Sequence, residues 1–200
     1  MSRKNVSKFK IFATKKQEEY EELPFFPKYE TQYIFKENLR VTWFETDFSQ
    51  SKYNFENRKS GSNACTLIAI LTAAKCSFNL TEIEGPEKPL NTKLVYALAY
   101  GMLAGNAIHN ALKARGALSN INLTVPEAIR HAGDRVAGIH EWKSELYPQP
   151  LALTLYENLK RLWREWRFYC VIKKKNPDLF VVLICDSRSV LFILQDETDT

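Results

Sequence analysis

The stretch Ser60-Gly61-Ser62-Asn63-Ala64-Cys65-Thr66-Leu67-Ile68-Ala69-Ile70-Leu71 decides how the rest of the chain is read. A polar, glycine-containing turn opens there onto a run that is apolar on nearly every side, which predicts a helix of about 10 to 12 residues at the centre of the core. Cys65 falls in its first turn. A thiol at that place meets the unsatisfied backbone N–H groups and the positive dipole end of the helix, both of which favour a thiolate. The Ser62-Asn63-Ala64 turn can also aim backbone or amide N–H groups at a developing oxyanion, as acyl transfer requires. The alternative is a small buried hydrophobe that starts an apolar helix, a common role for cysteine.

Beyond this helix, Thr92 to Arg115 carries Leu94, Val95, Leu98, Met102 and Leu103 at helical spacing, with Gly101 and Gly105 allowing another element to come close. Thr124-Val125-Pro126-Glu127 reads as a capping box that starts a short helix ending near Arg135. Pro150 introduces a last helix to the region of Trp166, with Leu155, Leu159, Leu162 and Trp166 as its buried stripe. Three short runs then follow, Phe168 to Lys173, Leu179 to Cys185 and Ser189 to Leu194, rich in Val, Ile, Phe and Leu and predicted to form an antiparallel meander. On the other side, Tyr33, Phe35, Leu39, Val41 and Trp43 suggest a hairpin or bent strand, and residues 47–62 a polar loop. Residues 1–30 are expected as an arm, with a short helix near Lys15 to Glu22, and residues 196–200 as an acidic tail that frays. Helices followed by a sheet argue for one α+β domain over residues 31–195.

With 45% hydrophobic residues, 12% aromatics and a formal charge of +5 in 200 residues, the chain has material for one substantial core and is far from a disordered composition. Apolar stretches such as Phe180 to Cys185 and Cys65 to Ala74 are shorter than the roughly 18 to 20 residues of a membrane span. The basic segment Met1 to Lys16 has no apolar core of signal-peptide length, so an intracellular address, cytoplasmic or nuclear, is expected. In a reducing compartment Cys65, Cys76, Cys170 and Cys185 stay thiols, and no Cys/His spacing suits zinc. Neither a metal nor a cofactor is expected.

The order of a polar Gly/Asn turn, a cysteine at the head of a buried helix, further helices and a terminal antiparallel sheet resembles the papain-like cysteine peptidase superfamily. The run Ser62 to Ile70 looks most like the nucleophile segment of its deubiquitinase branches, and the resemblance spans roughly residues 40 to 195. It implies a papain-like domain with a central buried helix packed on a C-terminal antiparallel sheet. It also implies Cys65 as nucleophile, a histidine at the head of a terminal strand as base, and an Asn, Asp or Gln on the neighbouring strand as its orienter. The matching strand, Leu179 to Ile184, is instead preceded by Pro177-Asp178, and no histidine follows His140. An aspartate, with an ordinary pKa of about 3.9, is a poor acceptor for the proton of a thiol near about 8.5, and it cannot supply a cationic partner. Of the other histidines, His109 lies in the long helical stretch, His131 in the short helix, and His140 in a loop beside Glu141. His140 is the best placed of them, because loops carry catalytic groups more often than helix interiors do.

Between Leu151 and Lys175 stand seven basic residues, Lys160, Arg161, Arg164, Arg167, Lys173, Lys174 and Lys175, against Glu157 and Glu165. This local excess equals the whole protein's formal charge of +5. With Trp163 and Trp166 interleaved it suggests phosphate contacts and base stacking, or attraction to an acidic protein segment. A solvated basic face on a helix whose Trp and Leu residues turn inward explains the same pattern.

These readings lead to a catalytically inactive cysteine-peptidase-like domain that serves as a protein-binding or scaffolding module, with Cys65, Asn63, Asp178 and His140 marking a vestigial site. The alternatives are an active thiol hydrolase that uses Cys65 with His140 or His109, and a nucleic-acid binder that acts through the basic segment.

Overall fold

The computed structural model describes residues 23–55, 62–173 and 178–195, and of Lys173 only the backbone. The expected short helix near Lys15 to Glu22, the tail 196–200, and Lys174, Lys175 and Pro177 lie outside the described residues. The architecture is α+β, with four α-helices and two small antiparallel sheets among the described residues. Strand β1 (Tyr29–Ile34) pairs with β2 (Leu39–Phe44) in register Tyr29↔Phe44 to Ile34↔Leu39, around a 3-10 turn at Phe35–Glu37 closed by Asn38 in the left-handed region. This is the hairpin that the alternating aromatics predict.

Helix α1 (Cys65–Phe78) is apolar on nearly all sides and is buried accordingly, from Thr66 through Ala74 and again at Cys76. One side of it, Leu67, Ile70, Leu71 and Ala74, packs against Leu112, Leu123, Ala128, Ala132 and Val136. The other, Ala64 and Ile68, packs against Phe48, Tyr53, Val95, Ala99 and Met102. Each fully buried Leu or Ile in such a cluster stabilises the fold by about 1.5–3 kcal/mol.

Helix α2 (Thr92–Ala114) starts at Asn91, whose side chain accepts from the Lys93 backbone N–H, and runs antiparallel along α1. Gly101 and Gly105 make the contact: a Cβ on Gly101 would stand 2.9 Å from the Ile68 carbonyl oxygen, and one on Gly105 2.8 Å from Ile68 Cγ1. Helix α3 (Val125–Ala132) has the expected capping box, Thr124 with Glu127, and passes into a 3-10 turn at Gly133–Val136.

Helix α4 (Leu151–Lys173) runs past Trp166, so Phe168–Lys173, expected as a strand, is its last turn and a half. The terminal sheet is therefore a two-stranded hairpin, β3 (Leu179–Cys185) with β4 (Arg188–Leu194), rather than a three-stranded meander. Asp186 and Ser187, at φ 49° and 60°, form its two-residue turn, the backbone that a primed hairpin turn requires. The hairpin lies along α1, and Val182 packs on the first cluster.

Residues at the end of the expected arm dock on this same chain. Leu23 and Phe25 pack on the second cluster, Pro27 is fully buried, and Tyr53 donates to the Phe25 carbonyl at 2.9 Å. Burial pushes the Tyr53 phenol up to about 12. No helix among the described residues is long and apolar enough to cross a membrane.

Candidate functional site around Cys65

Because β3 runs antiparallel to α1, the hairpin turn rather than the start of β3 reaches the head of α1. The Cys65 thiol, half-buried, contacts the Ser187 carbonyl oxygen at 3.8 Å and accepts from the Ser189 hydroxyl at 3.4 Å. Ser189 Oγ lies 3.1 Å from Thr66 Oγ1. Each hydroxyl has one proton, so the contacts form a directed chain: Thr66 donates to Ser189, Ser189 to the sulfur, and the S–H to the Ser187 carbonyl. The thiol opens on a cleft of about 440 Å³ lined by Gln50, Ser62, Asn63, Cys65, Ser187, Arg188 and Ser189.

The chain entering α1 is pinned by amides. No side chain caps the helix at Ala64, whose backbone N–H donates instead to Ser62 Oγ at 3.1 Å. Ser62 Oγ in turn donates to Asn106 Oδ1 on α2, and Asn106 Nδ2 donates to the Gln50 carbonyl at 2.6 Å. The Gln50 amide closes the ring on the Ser62 carbonyl. This Gln50–Ser62–Asn106 network ties the loop before α1 to α2, and sequence reasoning missed it. The available signal was Asn106, a polar residue one position past Gly105 on the close-packed side of α2.

Asn63 lines the cleft, but its Nδ2 donates to Asn122 Oδ1 at 3.2 Å, so that N–H is engaged away from any oxyanion at Cys65. Asp178 is not beside the thiol. Its carboxylate accepts from Gln195 Nε2 at 3.2 Å, and the same Nε2 donates to the Thr81 carbonyl at 2.9 Å, just beyond the C-terminal end of α1. Ile184 pairs with Ser189, which touches Cys65, and Asp178 lies six residues before Ile184, or about 20 Å along the strand. The expectation that Asp178 sits beside the nucleophile is thus corrected by the direction of β3. Asp178 instead faces Cys76, a thiol that burial, first, and the nearby carboxylate push up to about 11.

His140 is exposed and does not line the cleft; it follows Ile139, which packs on the cluster of α1 and α3. His131 lies on α3 and does not line the cleft. His109 is buried on α2 with Nε2 3.0 Å from the Ile121 carbonyl oxygen, an acceptor only, so Nε2–H is the donor. No imidazole and no carboxylate lines the Cys65 cleft among the described residues. Nor does any group of three or more His, Cys, Asp or Glu among them suit a metal ion.

The basic segment divides. Arg161 Nη1 lies 2.9 Å from Glu165 and 3.3 Å from Glu145, and Nη2 donates to Tyr147 at 2.8 Å. Lys143 joins both carboxylates, 2.7 Å from Glu165. The Arg161 and Lys143 partners hold the Glu145 carboxyl down at about 2, and Glu145 and Glu165 raise Arg161 in turn. The expectation of Arg161 as a phosphate contact is therefore corrected: it fastens residues 143–147 to α4. Trp166 packs against Trp142 at 5.1 Å and against Tyr169 at 5.4 Å, turned toward the same strap. Arg164 and Arg167 are exposed on the opposite face; the Lys173 side chain, Lys174 and Lys175 lie outside the described residues.

Comparisons with protein families, with curated proteins and with solved structures find no match for this chain.

Proposed function

We propose that this chain is a non-catalytic binding module: a cysteine-peptidase-like domain whose thiol cleft is retained as a surface for protein recognition or scaffolding. The observation that carries the reading is the surroundings of Cys65. Its S–H is directed to a backbone carbonyl, an acceptor that cannot take the proton, and its other neighbours are hydroxyls. A thiol hydrolase needs a base within hydrogen-bond reach of the sulfur and a group that orients that base. Asp178 is engaged with Gln195 at the other end of the hairpin, His109 with Ile121, and His140 is exposed outside the cleft. Recognition asks less of the site, and a cleft with amide, hydroxyl and Arg188 groups at its wall supplies it.

The test is turnover. The intact protein is incubated with fluorogenic peptide and isopeptide-linked ubiquitin substrates beside its Cys65→Ala variant. The reading expects identical, background-level release from both. Release by the unmodified protein that the variant lacks establishes a thiol hydrolase and removes the proposal.

A further inference from the structure

Helix α4 is the one long element that the cores around α1 do not absorb. None of its residues belongs to either cluster, and the other helices and strands touch it only marginally. Its inner side is held by the Trp142–Trp166–Tyr169 ring cluster and by the Arg161 network. On the outer side, Leu153, Tyr156, Phe168 and Val171 are 79%, 70%, 71% and 80% exposed. At 100° per residue these positions and Lys160, Arg164 and Arg167 fall within an arc of about 120°, one stripe along the helix. The order along it is Leu153 and Tyr156, then the cations, then Phe168 and Val171, over about 27 Å. Among the described residues of α4, Glu157 is the one acid that shares that face with Lys160 and Arg164. Lys160 Nζ lies over Tyr156, 5.4 Å from the ring centroid, which keeps that charge at the middle of the stripe.

We propose that this face of α4 docks an acidic amphipathic helix of a partner protein, with apolar anchors near its two ends and carboxylates between them. The proposal rests on the reading of the chain as a protein-binding module and names its partner. Charge complementarity selects the occupant. A second copy of α4 laid antiparallel on the first would bring Lys160 and Arg164 against the same cations of its mate. An anionic bilayer would have to draw the cations down with the apolar ends, because they share one centre line rather than flanking it. A nucleic acid has no use for Leu153 and Val171, and Trp166, one of the two indoles that would stack on bases, is packed against Trp142 and Tyr169. A partner helix with Glu or Asp at three-and-four spacing meets both the cations and the apolar ends. Its first anchor has a place to enter, a cleft of about 330 Å³ between Tyr147, Pro148, Leu153 and Asn158.

The test uses the full chain and a fluorescein-labelled helical peptide of about 20 residues, Leu and Phe in its end turns and Glu at its centre. A control peptide has the same ends and a Lys centre. Fluorescence anisotropy should give saturable binding of the acidic peptide and none of the control, weakened severalfold between about 50 and 300 mM salt. Lys160→Glu with Arg164→Glu, and separately Leu153→Ser with Val171→Ser, should each weaken binding at least about tenfold. All four positions are exposed, and unchanged far-UV circular dichroism verifies the fold. Equal binding of both peptides, no binding of either, or affinity indifferent to the charge reversal overturns the proposal. Binding to phosphatidylserine vesicles or to RNA, or self-association, lost in the same variants while the acidic peptide fails, also overturns it. Failure here leaves the Cys65 turnover result untouched, so the two readings fall separately.

Discussion

Replacing Gly101 by alanine tests the contact that sets how deeply α2 lies on α1, and with it the position of the Cys65 loop. The added Cβ would meet Thr72 Oγ1 at 2.4 Å and the Ile68 carbonyl oxygen at 2.9 Å. The Thr72 hydroxyl can rotate away, but the Ile68 carbonyl belongs to the α1 backbone, so relief requires the two helices to part by several tenths of an ångström. Overpacking of this kind costs about 1–3 kcal/mol, and a backbone neighbour puts the case at the upper end. Helix propensity works the other way, since alanine in a helix interior is favoured over glycine by about 1 kcal/mol. The net expectation is a loss of about 2 kcal/mol, which in a domain of this size lowers Tm by about 4–8 °C. Gly105→Ala should cost less, because its nearest neighbour at 2.8 Å is Ile68 Cγ1, a side-chain atom, and the Ile68 backbone nitrogen is at 3.2 Å. Thermal and urea unfolding followed by circular dichroism measure both variants. A Gly101→Ala protein as stable as the parent, or more stable, would mean that propensity decides the outcome and that the close approach of the helices is not as described.

Two other consequences are open to direct measurement. Glu145 is held at about 2 by Arg161, Lys143 and Tyr147, below its ordinary value, so its contribution is complete above a pH of about 4.3 and is lost as pH falls toward 2. Tryptophan fluorescence from Trp142 and Trp166 should change across that interval, and Glu145→Gln should already show the loosened spectrum at neutral pH; an unchanged variant spectrum contradicts the strap. With Ellman's reagent, Cys185 and Cys65 should react in the native protein, whereas buried Cys76 and Cys170 wait for unfolding. Cys65→Ala should remove one of the two fast thiols, and a Cys76 that reacts as fast as Cys185 refutes the burial described.

The parts of the fold legible in the sequence are those where local chemistry and tertiary packing agree. Thr124 and Glu127 form the capping box that their spacing predicts, α2 ends at Ala114 with its glycines against α1, and the alternating aromatics around Phe35 make a hairpin. Phe168–Lys173 was misleading, since Phe, Tyr, Cys, Val and Ile favour strands, yet Tyr169 and Cys170 continue the inner face that Leu162 and Trp166 begin. The site was half legible. A cysteine at the head of a buried helix could be read from residue order, but what faces it depends on the direction of β3, which no residue near Cys65 encodes. That direction brings Ser187 and Ser189 to the thiol and carries Asp178 to Gln195 and Thr81. Arg161 looked like its basic neighbours because its partners, Glu145 and Glu165, are acidic residues separated from it by 16 and 4 positions.

The central claim, that Cys65 sits in an accessible cleft where no described residue supplies a base to activate it, is tested most directly by trapping. The intact protein is exposed to a ubiquitin probe bearing a thiol-reactive C-terminal electrophile and read by intact-mass spectrometry. The account predicts no ubiquitin adduct, in the unmodified protein or in Cys65→Ala. An adduct that forms on the unmodified protein and disappears in Cys65→Ala would contradict it.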